Sequence, residues 1–383
     1  MMNAEPAPMH ALMAAAEAHL GWAIGLIEQL VRLESPSTDR AALDRCGREL
    51  ASLLMTLGLR VVAVDGGGGA DHIRAELGQG TDQVLVLGHF DTVWPVGQLD
   101  RMPLRHDGGF LYGPGAYDMK AGIVTAMLAA RVLGAMPAPG HRIVMLWTSD
   151  EEVGSGRSRA AIEHEARRSR AVLVLEPALA GGGVKTARKG VGDYTITARG
   201  AAAHAGVEPE RGASAVHELA WQVTRLLQLE DRARGLTVNV GRFTGGTRPN
   251  VVAAEAAIEV DVRIPTISDA DRVAAAITSL TPRDPRVQLA IAGGVNRPPM
   301  ERTAGVAALY ERARRLAASA GRDLPEGATG GASDGNFTAA LGVPTLDGLG
   351  PDGAGAHALD ERVDLHTVAF RAALVAALAR ELP

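Results

Sequence analysis

Short, continuous apolar runs punctuate the first half of the chain: Val84 to Leu87 (VLVL), Ile143 to Trp147 (IVMLW) and Ala171 to Leu175 (AVLVL). Runs of this kind are expected of strands buried on both faces. Between the first two, Met119 to Leu133 (MKAGIVTAMLAARVL) reads as a helix. The alternation predicts an α/β fold: an open, mostly parallel sheet flanked by helices. Sheets of this type place their sites beyond the carboxyl ends of the strands.

Between about Gly190 and Gly294 the pattern changes. Asp193 to Arg199 reads as a strand. Ala213 to Leu229 is a helix with Val216, Leu219, Ala220, Val223 and Leu227 on one face. Thr237 to Phe243 is a second strand. Ile258, Val260, Val262 and Ile264 then alternate with Glu259, Asp261 and Arg263, so one face of that sheet is wet. A helix near Asp269 to Leu280 and a strand near Val287 to Ile291 complete the order β-α-β-β-α-β, the ferredoxin-like motif. The α/β texture returns after Glu301. The predicted organisation is a small α+β domain, 190–298, inserted in a larger one made of 1–189 and 299–383.

Composition narrows the function. With 383 residues the chain is too long for one ordinary core. It is 46% hydrophobic and 22% charged, the balance of a soluble globular protein. A net charge of −5 argues against nucleic acid as a partner. No uncharged apolar run approaches the length that crosses a bilayer. The opening stretch lacks a basic segment and carries Glu5 and Glu17, unlike a secretory signal. Cys46 is the sole cysteine, which excludes intrachain disulfides and thiolate metal sites and fits a cytoplasmic protein.

The apolar strands end on chemistry. VLVL runs into His89 and Asp91, IVMLW into Asp150, Glu151 and Glu152, and AVLVL into Glu176. Any one of these could be a cap or a satisfied strand end. Crowded at one sheet edge, however, the carboxylates would repel each other and resist burial. A metal resolves that conflict. Histidine and carboxylate donors without cysteine suit zinc, or manganese and cobalt, in a hydrolytic site. Two glycine-rich loops supply further donors, Asp118 in GPGAYDMKAG and His357 in PDGAGAHA. Two divalent ions bring four positive charges, which three carboxylate ligands and one hydroxide cancel. Glu151 is then left over.

These segments resemble the co-catalytic zinc peptidases and deacylases typified by bacterial glutamate carboxypeptidase, with acetylornithine deacetylase and succinyl-diaminopimelate desuccinylase as relatives. The resemblance rests on GHFDTVWPVG (Gly88 to Gly97), GPGAYDMKAG (Gly113 to Gly122), TSDEEVGS (Thr148 to Ser155), LEP (Leu175 to Pro177) and AGAHA (Ala354 to Ala358), in family order. It implies two Zn2+ per subunit. His89 and Glu176 would hold one ion, Glu152 and His357 the other, and Asp118 would bridge them. It also implies that Asp91 orients the His89 imidazole and that Glu151 is the general base. A cis peptide after Asp118 is a further family feature.

The implied reaction is hydrolysis of an amide whose leaving amine carries a free α-carboxylate. The substrate would be a small peptide, as for a glutamate carboxypeptidase, or an N-acyl amino acid, as for an acetylornithine deacetylase. By the same resemblance Asn250 in GGTRPNVV holds substrate, and Arg263 in VDVRIP clamps the carboxylate. The loop TGGASDGNF would offer the backbone of Gly330 and Gly331, and His204 in RGAAAHAG would stabilise the oxyanion. Arg263 has an alternative reading as a surface pair with Glu259 or Asp261, and His204 as a solvated loop residue. The inserted domain would act as lid and dimerisation unit of a homodimer, with His204 serving the partner's site.

Two rivals remain. Ser333 in GASDG fits the Gly-x-Ser-x-Gly pattern of serine hydrolases, although GRDLPEGATG before it is a poor strand. A non-catalytic metal-binding scaffold would be marked by loss of the base, and Glu151 is present. The remaining histidines, His10, His19, His72, His106, His141, His164, His217 and His366, are expected at the surface.

Overall fold

The computed structural model describes residues 9–137 and 139–381. Residues 1–8, 138, 382 and 383, which the domain boundaries above include, lie outside the described residues. Contacts divide the chain into two compact units: Met1–Ala187 with Arg302–Ala328 and Ser333–Pro383, and Arg188–Glu301 with Thr329–Ala332.

The first unit is built on a six-stranded sheet, ordered Arg60–Val64, His72–Gly78, Arg142–Thr148, Gln83–His89, Ser169–Val174 and Thr345–Leu346. The last four run parallel, and the first two join them antiparallel. Every residue of Gln83–His89 is buried, because alternate side chains enter two different cores. Val84 and Val86 join Ile143, Met145, Ala171 and Leu173 on one face. Leu85 and Leu87 join Val144, Leu146, Val172 and Val174 on the other, with Ile162 and Phe337 from short helices. Each of the larger side chains among them contributes about 1.5–3 kcal/mol by leaving water. Leu85→Ala would cost about 2–5 kcal/mol by opening a cavity.

On the first face lie Ala121–Gly134 and Leu365–Glu381, both apolar almost all round. Both are rich in alanine, whose small side chain favours close packing of helices. The expected helix from Met119 begins instead at Ala121, because 116–120 form an irregular turn with extended φ/ψ at Asp118. Two histidines expected at the surface are buried, His72 and His141. His72 opens the strand next to the sheet's edge and contacts Ser149, and the His141 ring bonds the Ala379 carbonyl of the C-terminal helix.

The second unit has a four-stranded antiparallel sheet ordered Thr237–Gly245, Glu255–Ile264, Gly190–Arg199 and Gln288–Arg297. Helices Ala215–Leu227 and Ile267–Thr278 complete a β-α-β-β-α-β succession. Their N-caps are Ser214 and Thr266, whose side chains accept from the His217 and Asp269 backbone N–H groups. Ile258, Val260, Val262 and Ile264 line its core with Leu219, Leu226, Val273 and Ile277. The outer strands run longer than read from sequence: one continues past a bulge near Val240 to Gly245, and the other stays paired beyond Ile291, with a bulge only near Val295.

Among the described residues no helix is long and apolar enough to cross a membrane.

Candidate active site

Strands Gln83–His89, Arg142–Thr148 and Ser169–Val174 are parallel neighbours, so their carboxyl ends converge on one edge of the sheet. His89 ends the central strand opposite Thr148. Two glycines allow the rest to close in. A Cβ at Gly88 would lie 2.4 Å from the Met119 side chain, and one at Gly122 would lie 2.1 Å from the Leu175 carbonyl oxygen. The Met119 methyl could move aside, but the Leu175 backbone could not, so at Gly122 only glycine lets the 116–122 segment approach the strand end. The Asp118–Met119 peptide is cis.

Asp118 stands between two histidine–carboxylate pairs. Its Oδ1 is 3.4 Å from His89 Nε2, which is also 3.4 Å from Glu176 Oε1. Its Oδ2 is 3.4 Å from His357 Nε2, which is 3.2 Å from Glu152 Oε2. His357 sits at φ +62°, a left-handed conformation unfavourable for a residue with a side chain. Strain held in this way is a feature of functional positions.

Asp91 is fully buried and ties two of these elements together. Its carboxylate lies 3.4 Å from His89 Nδ1 and accepts from Ser37 Oγ at 2.7 Å. It also accepts the backbone N–H groups of Glu151 and Glu152 at 3.2 and 3.1 Å. Glu151 itself is buried beside Glu152.

The electrostatics call for positive charge. Burial opposes protonation of His89, yet Asp118, Asp91 and Glu176 hold its pKa well above the ordinary imidazole value. Asp118 and Glu152 push His357 up to about 10. Burial disfavours charge on Asp118, but His357 and His89 hold its carboxyl far below the usual range. Burial raises Glu152 despite His357. Asp118 Oδ1 and Glu152 Oε1 are buried without a hydrogen-bond partner. Unpaired carboxylate oxygens facing imidazoles suit a divalent cation better than protons. One donor atom from each of His89, Asp118 and Glu152 lies within 4.8 Å of the other two, so this group could hold a metal ion.

The sequence reading missed Glu361. Buried at 1% exposure, its carboxylate accepts four N–H groups: Gly115, Tyr117 and Asp118 from the backbone, each at 3.0 Å, and Trp94 Nε1 at 2.7 Å. Burial pushes it up to about 7 against these bonds. No strand end or spacing marks it, because it works on backbone amides. The serine rival fares poorly. A short strand, Glu326–Thr329, does precede the GASDG segment, but the Ser333 hydroxyl is buried and donates to Asp347 at 2.7 Å. A nucleophile needs a basic partner, and an aspartate so placed holds the hydroxyl as a structural donor.

The other expected residues belong to the second unit. His204 and Asn250 come together there: Ala205 N–H donates to the Asn250 carbonyl at 3.0 Å, and His204 bridges Val251. His204 is exposed, with Nδ1 accepting from Gly206 N–H at 3.2 Å. Arg263 is paired with Asp261 through Nε at 2.9 Å and Nη2 at 2.8 Å. The Gly331 carbonyl accepts from Arg188 at 3.1 Å, and Gly330 has open space beside it.

Comparison with known proteins agrees with this chemistry. Over 371 residues the chain is 30% identical to carboxypeptidase G2 of Pseudomonas sp. (strain RS-16), covering 94% of this chain and 89% of that protein. It is 30% identical over 373 residues to succinyl-diaminopimelate desuccinylase of Acidovorax ebreus (strain TPSY), covering 89% and 93%. In fold it is similar to aminopeptidase PepT from Bacillus cereus ATCC 10987, with a TM-score of 0.78 at 24% identity over 95% of this chain and 98% of that one. It also matches the M20 family metallo-carboxypeptidase Sso-CP2 from Sulfolobus solfataricus, with a TM-score of 0.70 at 16% identity over 93% and 98%. Residues 85–381, more than half of the chain, match the description of peptidase family M20/M25/M40. The protein is a hydrolase belonging to that metallopeptidase family.

Proposed function

We propose that the protein is a dinuclear metallohydrolase that cleaves an amide whose leaving amine carries a free α-carboxylate, most simply a carboxypeptidase that releases glutamate. The observation that carries this reading is Asp118, whose two oxygens each face a separate histidine–carboxylate pair at 3.4 Å. His89 and Glu176 would hold one cation, Glu152 and His357 the second, with Asp118 shared. Zinc suits these donors, and manganese or cobalt would also fit. When bound, the cations supply Lewis acidity to the scissile carbonyl and lower the pKa of water.

The chain's own residues supply the rest. Asp91 fixes the His89 ring and, through the Glu151 and Glu152 amides, the turn that carries the base. Glu151 takes a proton from the attacking water as the C–O bond forms. It returns that proton to the amine nitrogen as the C–N bond breaks. Arg263 would bind the α-carboxylate, aided by Asn250 and the Gly330–Gly331 backbone, and His204 would donate to the developing oxyanion.

We further propose a homodimer in which the second unit serves as the dimerisation domain. Among the described residues its outer strand Thr237–Gly245 pairs on one side only, with Glu255–Ile264, and residues 241–250 are exposed throughout. Such an edge favours pairing with a second copy. The lone thiol, Cys46, suits a reducing compartment such as the cytoplasm.

A second reading, N-acyl-amino-acid deacylase, draws support from the desuccinylase relatives. Amine release from a panel of C-terminal glutamyl dipeptides and N-acyl amino acids, with zinc, manganese or cobalt and with chelator, separates the readings. Metal-dependent hydrolysis of the dipeptides first and fastest supports the carboxypeptidase. Preference for simple acyl groups selects the deacylase, and turnover unaffected by chelation contradicts both.

A further inference from the structure

We propose that Asp261 is a positioning residue that fixes the Arg263 guanidinium, taking one of its two forks and leaving the other for a substrate carboxylate. The proposal rests on the reading that Arg263 binds that carboxylate.

Asp261 and Arg263 stand two residues apart on Glu255–Ile264, so both side chains leave the same face of the sheet. The pair is bidentate. Asp261 Oδ1 accepts from Nε at 2.9 Å and Oδ2 from Nη2 at 2.8 Å. A guanidinium is flat and offers five N–H donors along its edges. Its side edge presents Nε and Nη2, and its end edge presents Nη1 and Nη2. Asp261 occupies the side edge alone. One N–H of Nη1 and the second N–H of Nη2 remain on the end edge, in the geometry that matches two carboxylate oxygens.

Among the described residues the hydrogen bonds of Arg263 all go to Asp261. Arg263 lies opposite Thr237 on one neighbouring strand and Val191 on the other, and neither carries a charge. Its side chain is 37% exposed. Asp261 is placed less comfortably, because it lies directly opposite Asp193 in the pairing of Glu255–Ile264 with Gly190–Arg199. Like charges facing each other across strands are unfavourable. Burial, and then the charge of Asp261, raises the pKa of Asp193. The sheet thus keeps a second carboxylate where repulsion disfavours it, and that carboxylate makes two in-plane bonds to Arg263. A plain surface ion pair would gain little from this placement. Orientation is what it supplies: a long arginine side chain fixed in advance does not lose its rotamer freedom when the ligand arrives.

The test uses the metal-loaded enzyme with N-benzoyl-glutamate and its α-carboxamide, or with the fastest acid of the panel above and its amide. Wild type, Arg263→Ala, Asp261→Asn, Asp261→Glu and Glu259→Gln are compared for KM and kcat on both compounds. Glu259 lies two residues before Asp261 and pairs with Arg242, so its variant removes one charge from the same face without touching the fork. Asp261→Asn should raise KM for the acid by about 3–10-fold, the scale of one unordered side chain, with kcat and the amide's KM unchanged. Asp261→Glu should recover part of the loss. Acid–amide discrimination that survives Arg263→Ala would overturn the carboxylate reading itself. Discrimination lost in Arg263→Ala but with an unchanged or lower acid KM in Asp261→Asn would overturn only the positioning role. An equal rise in Glu259→Gln would also overturn it, by showing a general effect of charge.

Discussion

Glu361 Oε1 accepts the backbone N–H of Asp118 at 3.0 Å, so the carboxylate that faces both histidines is itself held by a second, buried carboxylate. The same Glu361 oxygen holds Tyr117 N–H, and its other oxygen holds Gly115 N–H and the Trp94 indole. The turn that presents Asp118 is therefore fastened by one side chain. Glu361→Gln replaces an acceptor oxygen with an NH2 group that faces N–H donors. Metal affinity should fall by about 10–100-fold, the usual result of removing a ligand's support. Titration of the metal-free variant would show this, and activity should return in excess metal. Wild-type affinity would mean that the turn holds without Glu361.

Arg74 anchors a second buried network in the first unit. Its Nε donates to Glu165 at 2.8 Å and its Nη1 to Glu76 at 2.9 Å, while Gln83 also donates to Glu165 at 2.9 Å. Burial works against both carboxylates, but their hydrogen bonds to arginine lower both pKa values. A depressed folded-state pKa means that this stabilisation is complete above the unfolded carboxyl value, about pH 4.3. It is lost as pH falls through the folded-state values. Glu165→Gln should cost about 3 kcal/mol at pH 7 by leaving a buried guanidinium partly uncompensated. Denaturant melts from pH 7 to pH 3 should show the variant losing less stability on acidification than the wild type. Parallel curves would contradict the assignment.

How far the site was legible depended on where each residue sits. His89, Glu152 and Glu176 stand at or just beyond the ends of continuous apolar runs, and a buried parallel strand announces itself by such a run. Asp118 and His357 lie in loops, where glycine-rich segments and family resemblance marked them but no periodicity could. Glu361 left no trace, since any acidic residue in a loop looks the same until the amides around it are seen. His72 and His141 were misread for a related reason. Each flanks or opens a strand, and its burial depends on contacts with Ser149 and Ala379, 77 and 238 residues distant. Met119 and Lys120, the end of the irregular turn, were read as helix because they run without a break into the apolar stretch that follows. The turn's conformation follows from tertiary fastening by Glu361.

If His204 acts on the partner's site, two inactive variants should rescue one another. Glu151→Gln and His204→Ala dimers, each nearly inactive, would be mixed and their subunits exchanged. Each hybrid then has one doubly defective site and one native site. With about half of the dimers hybrid, activity should return to about a quarter of the wild-type value. Confirmed exchange without recovery would place His204 in its own subunit's chemistry or outside it.

The central claim, a metal-dependent hydrolase with Glu151 as its base, is tested most directly by Glu151→Gln examined for metal content and turnover together. The account predicts that the purified variant keeps two divalent ions per chain while kcat falls by at least about 10²-fold, the scale of losing a general base. Loss of metal from the variant, with turnover restored when metal is resupplied, would contradict it and make Glu151 a ligand.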